Sequence, residues 1–177
     1  MGRRLWVLAS MLVVPVFALG LAATPQALPR CDGPEYRQFD FWIGAWDVRP
    51  ANQPEAPPMS SVITSEDDGC VIRERWKGAR MTGQSVNIYD RSRGKWHQTW
   101  VDSTGGLHEY WGTRRPDGAM AFEGDLPPRR PGEGRVSTRM TFFPLASDRV
   151  RQLAESSNDG GKTWSVNVDL IYSKRKE

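Results

Sequence analysis

Two carboxylates stand where carboxylates are unusual. Glu74 lies between Ile72 and Trp76, and Asp102 follows Gln98 and Trp100, in runs whose two-residue alternation puts each on the same face as bulky apolar side chains. A carboxyl group among apolar neighbours has a raised pKa and is able to pass a proton near neutral pH. The same pattern also fits a hydrogen-bonded carboxylate that fixes strand register, or one at a rim. Large rings with a few polar side chains among them describe a small-molecule pocket as well. Glu74, Trp76, Asn87, Gln98, Trp100 and Asp102 are therefore the candidate ligand-binding residues. Asn87 is placed less firmly than the others. Ser85, Asn87 and Tyr89 oppose Val86 and Ile88, and either set can face inward.

Other chemistries find less to work with. The two histidines, His97 and His108, fall on neighbouring predicted strands, where alternation turns both outward, and no third ligand stands at a metal-binding spacing. There is no Ser-His-Asp order and no Gly-x-Ser-x-Gly elbow. No catalytic residue, metal ligand or cofactor is assigned. Two cysteines, Cys31 and Cys70, without a C-x-x-C redox motif, are expected to pair as a disulfide in an oxidising compartment.

That compartment is indicated by the start of the chain. Arg3 and Arg4 precede the apolar run Leu5 to Leu21, and small residues follow at Ala22 and Ala23. This is the pattern of a secretory signal peptide over residues 1–22, and the run is short for a membrane span and contains Pro15. The expectation is an exported protein, periplasmic or extracellular, with no membrane span once the leader is removed. Removing Arg3 and Arg4 leaves 22 basic residues against 21 acidic ones, a net charge of +1. So balanced a chain gives no reason to expect a nucleic-acid partner, and Arg114-Arg115 and Arg129-Arg130 read as solvated turn charges. Oligomeric state is not legible.

The elements that must position the candidates are strands. After an extended, Pro-rich lead-in over 23–38, strand-like runs recur at 39–49, 60–66, 70–77, 83–90, 94–102, 106–113, 118–124, 134–143, 148–157 and 163–173. Turn chemistry separates them, as in Asp67-Asp68-Gly69, Pro116-Asp117-Gly118 and Asn158-Asp159-Gly160-Gly161. Residues 50–59 and 125–134 are Pro-rich and predict two long loops. One face of several strands is large and apolar; in the last run it carries Trp164, Val166, Val168, Leu170 and Tyr172. The fold class is all-β. Residues 39–175 are expected to form an antiparallel up-and-down barrel of about ten strands, which removes exposed edges, with a β-sandwich as the alternative. Of the eight tryptophans one belongs to the leader, and most of the remaining seven belong to the core.

Gly44-x-Trp46 resembles the Gly-x-Trp signature of lipocalins and other calycin barrels, in which the Trp closes one barrel end beneath a basic side chain from the last strand. Lys174 and Arg175 stand in the matching place, where a cation–π contact is expected. The longer pattern runs from Glu35-Tyr36-Arg37-Gln38-Phe39-Asp40-Phe41-Trp42-Ile43-Gly44 through Gly69-Cys70-Val71-Ile72, Asn87-Ile88-Tyr89-Asp90, Trp96 to Ser103 and Val150-Arg151-Gln152. It is similar to a widespread bacterial family of exported domains of unknown function grouped with the calycins. The resemblance implies a lipocalin-like barrel and brings no activity or catalytic residues. Calycin relatives called nitrobindins bind haem through a histidine late in the barrel; this chain has none after His108, which counts against haem. Ser157 to Trp164 also matches the Asp-box of sialidases, a structural hairpin that recurs once per propeller blade; here it occurs once, in a chain too short for a propeller.

These readings lead to an exported barrel that binds a small apolar or amphipathic ligand. The alternatives are a barrel enzyme using a buried carboxylate as acid or base, and a structural or interaction module with a filled core.

Overall fold

Alternating side chains leave each strand with one apolar face, and ten such strands bury those faces by curling into a closed sheet. The computed structural model describes residues 30–127 and 134–176. The strands are β1 (Gly44–Pro50), β2 (Met59–Glu66), β3 (Val71–Lys77), β4 (Thr82–Asp90), β5 (Lys95–Asp102), β6 (Leu107–Arg114), β7 (Met120–Leu126), β8 (Val136–Ala146), β9 (Arg149–Ser157) and β10 (Ser165–Lys174). Each pairs antiparallel with its neighbour in sequence, and β1 pairs with β10 to close an up-and-down barrel. The barrel expectation is met, and the sandwich is not observed. The predicted leader and the first part of the lead-in lie outside the described residues, as does part of the predicted second long loop.

The stretch 39–43 departs from the strand expected there. Asp40–Trp42 is a turn of 3-10 helix, and β1 begins only at Gly44, whose φ of 145° few other residues tolerate. The turn tucks Phe39 and Trp42 into one end of the barrel as a plug, both fully buried. Phe39 stacks on Trp42 at 4.9 Å and meets Trp96, Phe122 and Phe142. Trp46 lies beside the plug, and its indole N–H donates to the Trp42 carbonyl at 2.9 Å. As the Gly-x-Trp pattern implied, the last strand covers it: Lys174 Nζ sits 5.9 Å from the ring centroid, and Arg175 donates twice to Asp47 Oδ1, at 3.1 and 2.9 Å.

The lead-in is a short 3-10 turn, Pro34–Arg37, with Tyr36 buried against Tyr89. Cys31 and Cys70 are joined, stapling this segment to the Asp67–Gly69 turn between β2 and β3. Arg37 reinforces the staple by donating to the carbonyls of Cys31, at 3.1 Å, and Gly69.

Four side-chain orientations correct the simple alternation. A bulge between Val166 and Val168 inserts one residue into β10, so Val166 is 58% exposed while Val168, Leu170 and Tyr172 keep the inner face. Trp164 does not join them: it lies in the β9–β10 connection, outside the barrel, with the Arg139 guanidinium 4.1 Å above its ring. Trp111 is also external, between His97 at 4.3 Å and Arg93 at 4.6 Å. His108 is the fourth, because β6 turns His108 and Tyr110 inward together and leaves only His97 outside.

Candidate functional site

The inner side chains form layers along the barrel. At the plugged end Ile72, Trp96, Phe122, Phe142 and Val150 pack against Phe39 and Trp42. One layer further along β3, β5 and β8 stand Glu74, Gln98 and Met140, and a layer beyond those Trp76, Trp100 and Thr138. Between these outer layers lies a cavity of about 260 Å³. Trp76, Trp100, Tyr110, Met140 and Leu170 supply its broad surfaces, and Glu74, Gln98, His108, Gln152 and Tyr172 bring polar atoms to it.

Glu74 is 4% exposed and held from two sides. Ser61 Oγ on β2 donates to Oε1 at 2.7 Å, and Ser85 Oγ on β4 donates to Oε2 at 3.2 Å. The network continues around the wall. Asn87 Nδ2 donates to Ser85 Oγ at 3.0 Å and to the Ile72 carbonyl at 2.9 Å, and Gln98 Nε2 donates to Asn87 Oδ1 at 2.6 Å. Every strand from β2 to β5 thus contributes one or more polar side chains to a single chain of bonds, which is how a row of buried polar groups is kept inside an aromatic barrel. Beside Glu74, Tyr172 donates to Gln152 Oε1 at 2.7 Å.

Burial pushes the Glu74 carboxyl up to about 7, against the opposing pull of the Ser61, Ser85 and Tyr172 hydroxyls. Glu74 belongs to none of the ion pairs among the described residues. The other charged residues that border the cavity, Arg139 and Glu155, are committed to each other through two bonds of 2.7 and 2.9 Å, with the Arg139 guanidinium over the external Trp164. Tyr172 stays neutral: burial, and then the adjacent Glu74, raise its phenol well above the usual value.

Of the six candidates, the barrel brings Glu74, Trp76, Gln98 and Trp100 to the cavity. Asn87 is wholly buried one step behind the lining, where it fixes Gln98 and Ser85; the Ser85, Asn87, Tyr89 set is the inward one. Asp102 does not line the cavity. It sits at the start of the β5–β6 turn, accepting from the backbone N–H groups of Thr104 and Gly106 and from the Thr104 hydroxyl. Those bonds, the Thr104 hydroxyl foremost, hold its carboxyl down at about 2, the opposite of the raised value its apolar neighbours suggested. Its remaining contact is positional, since Trp100 Nε1 donates to Oδ2 at 3.2 Å. Tyr172, Gln152, His108 and Tyr110 are cavity residues that the sequence candidates omitted. Tyr172 was within reach, because it shares alternation with Leu170; Gln152 and Tyr110 carry no pattern that separates a pocket wall from an ordinary inner face.

Ser157 to Trp164 forms the self-contained hairpin expected of an Asp-box. Asp159 accepts from Ser157, Thr163 and the Lys162 backbone, so its carboxyl lies well below the usual range. No group of three or more His, Cys, Asp or Glu side chains among the described residues is placed to hold a metal ion, and no helix among them is long and apolar enough to cross a membrane. No protein-family model matches the chain, and neither does any curated protein sequence.

Proposed function

We propose that this chain is an exported, calycin-like barrel that binds a small apolar or amphipathic molecule. The observation that supports this most is the contrast inside one barrel: aromatic packing fills one end, while the other encloses about 260 Å³ between tryptophans and a deep polar row. Apolar walls with a few fixed polar groups are the usual makeup of a ligand site. The disulfide fits passage through an oxidising compartment. Two tryptophans in the wall make the test direct. Fatty acids, isoprenoids and small aromatic compounds titrated into purified protein are expected to include one that changes intrinsic fluorescence saturably, with the response reduced in Trp100→Phe. A flat response across all three classes would count against the reading.

A second reading, acid–base catalysis on the same barrel, is favoured by Glu74 alone, because a carboxyl poised near 7 suits proton transfer at neutral pH. It requires turnover that rises or falls through pH 7 and disappears in Glu74→Gln.

A further inference from the structure

We propose that the cavity selects a compact arylalkylamine, its ammonium group seated against the Glu74 carboxylate and its ring between Trp76 and Trp100. The assignment rests on the binding reading above and adds the chemistry of the ligand's head and its size.

The head follows from which charges are already matched. Arg139 and Glu155 on the lining satisfy each other, so they offer a ligand no free charge. Glu74 has no cationic partner in the described structure; its neighbours are the hydroxyls of Ser61, Ser85 and Tyr172. Two serine donors leave further acceptor capacity on the two carboxylate oxygens. A buried carboxylate without a counter-ion is costly, and an entering cation relieves that cost, whereas an anionic head adds to it. Besides the paired Arg139 and Glu155, the titratable groups that share the cavity with Glu74 are Tyr172 on β10 and His108 and Tyr110 on β6, and β2 and β4 present serines to it. No lysine is among the lining residues. The size follows from volume. A cavity of about 260 Å³ is small for a ligand site and suits a single aryl ring with a short arm, such as 2-phenylethylamine. The rings of Trp76 and Trp100 on adjoining walls suit an aryl tail, and their faces also favour a nearby cation.

Three probes that share one phenylethyl body separate head from tail: 2-phenylethylamine, 2-phenylethanol and 3-phenylpropanoate, each titrated calorimetrically at pH 8, where Glu74 is ionised and a primary amine is still protonated. The amine is expected to bind at least tenfold more tightly than the alcohol, and the acid most weakly. Glu74→Gln is expected to remove the preference for the amine while keeping the affinity for the alcohol, which shows that the variant's cavity is intact. A second arm needs no variant. With Glu74 titrating near 7, affinity for the amine falls about tenfold from pH 8 to pH 6, and protons are released on binding near neutrality. The same pH dependence persisting in Glu74→Gln would place it on another group and overturn the proposal. Equal affinity for the three heads, or amine binding unchanged by Glu74→Gln, overturns the head-group assignment and leaves the binding barrel standing. No binding of any of the three probes overturns the arylalkylamine assignment, and the binding barrel is then decided by the wider titration of fatty acids and isoprenoids.

Discussion

The two ends of this barrel are built from the same strands and solve opposite problems. At the plugged end a two-residue aromatic wedge, Phe39 and Trp42, arrives from outside the sheet and meets Trp96, Phe122, Phe142 and Tyr172 with nothing exposed. At the other end the strands offer rings of similar size, Trp76, Trp100 and Tyr110, but no segment among the described residues is wedged between them. The difference shows that ring content does not decide whether a barrel is filled; what decides is whether the chain supplies a separate element to enter the lumen. The filled end carries costs of its own. Trp42 Nε1 is buried without a hydrogen-bond partner among the described residues, a deficit of about 1–3 kcal/mol that the surrounding ring contacts must outweigh.

Truncations at the filled end are expected to give the largest effects. Trp46→Ala removes a wholly buried ring, its bond to the Trp42 carbonyl and the surface under Lys174, and should destabilise by roughly 3–5 kcal/mol in a denaturant titration. A midpoint equal to wild type would mean that this end is not the stabilising one. Cutting the staple comes next. Cys31 and Cys70 are 39 residues apart, a loop whose closure contributes roughly 3–4 kcal/mol, so Cys31→Ser with Cys70→Ser should lower stability by that order. Free thiols that alkylate in unreduced protein would show by intact mass that the pair is not joined.

The open end should respond instead to pH. The folded-state pKa of Glu74 is raised from about 4.5 to about 7, so its protonated form is the one that folding favours. Its contribution is fully present below pH 4.5 and is lost as pH rises through 7, an effect of up to about 3 kcal/mol. Glu74→Gln should therefore match wild type near pH 4.5 and exceed it in stability at pH 8, with the gap opening between those values. Surface carboxylates such as Asp90 and Asp102, held near 2, stay ionised across that window and do not contribute. A constant gap from pH 4.5 to 8 would show that Glu74 does not titrate in this way.

The sharpest comparison is one substitution made at both ends. A methyl group at Gly112 meets the Ala121 carbonyl oxygen and the Phe122 ring, each at 2.5 Å, inside filled core. At Gly83 it meets the Trp100 ring at 2.3 Å and the Val101 carbonyl oxygen at 3.0 Å, but that ring borders the cavity. Gly112→Ala should cost about 3 kcal/mol and Gly83→Ala about 1 kcal/mol, with Gly83→Ala also shrinking the cavity and weakening any ligand. Equal costs in thermal melts would mean that the open end is as tightly packed as the other.

What could be read in the sequence follows the same division. Strand positions were legible because period-two alternation and Gly-Asp turns are local signals, and the observed strands start within a few residues of the predicted ones. Local pattern makes the plug a strand because Phe39 to Ile43 is aromatic and short, and only its burial inside the lumen makes a 3-10 turn the better conformation. Glu74, Trp76, Gln98 and Trp100 were found because parity is kept along β3 and β5. Alternation misplaces Asp102 because it cannot tell the last residue of a strand from the first of a turn; its bonds to Thr104 and Gly106 decide the matter. A bulge in β10 and the inward turn of β6 are set by pairing across strands, which no single run records.

The seam between β1 and β10 has a kinetic consequence. Every other pairing joins consecutive strands, so most of the sheet can zip through short loops. Trp46 opposite Lys174 joins positions from the two ends of the barrel sequence, and the plug gains its partners on β8 and β10 only once that seam is near closure. Chain-closure entropy is therefore met late, before the aromatic contacts that offset it have formed. Substitutions at Trp46 or Tyr172 should then speed unfolding and leave the folding rate nearly unchanged, whereas changes within the β4–β5 hairpin should slow folding itself. Stopped-flow folding arms that shift by the same amount for both sets would place seam closure before the rate-limiting step.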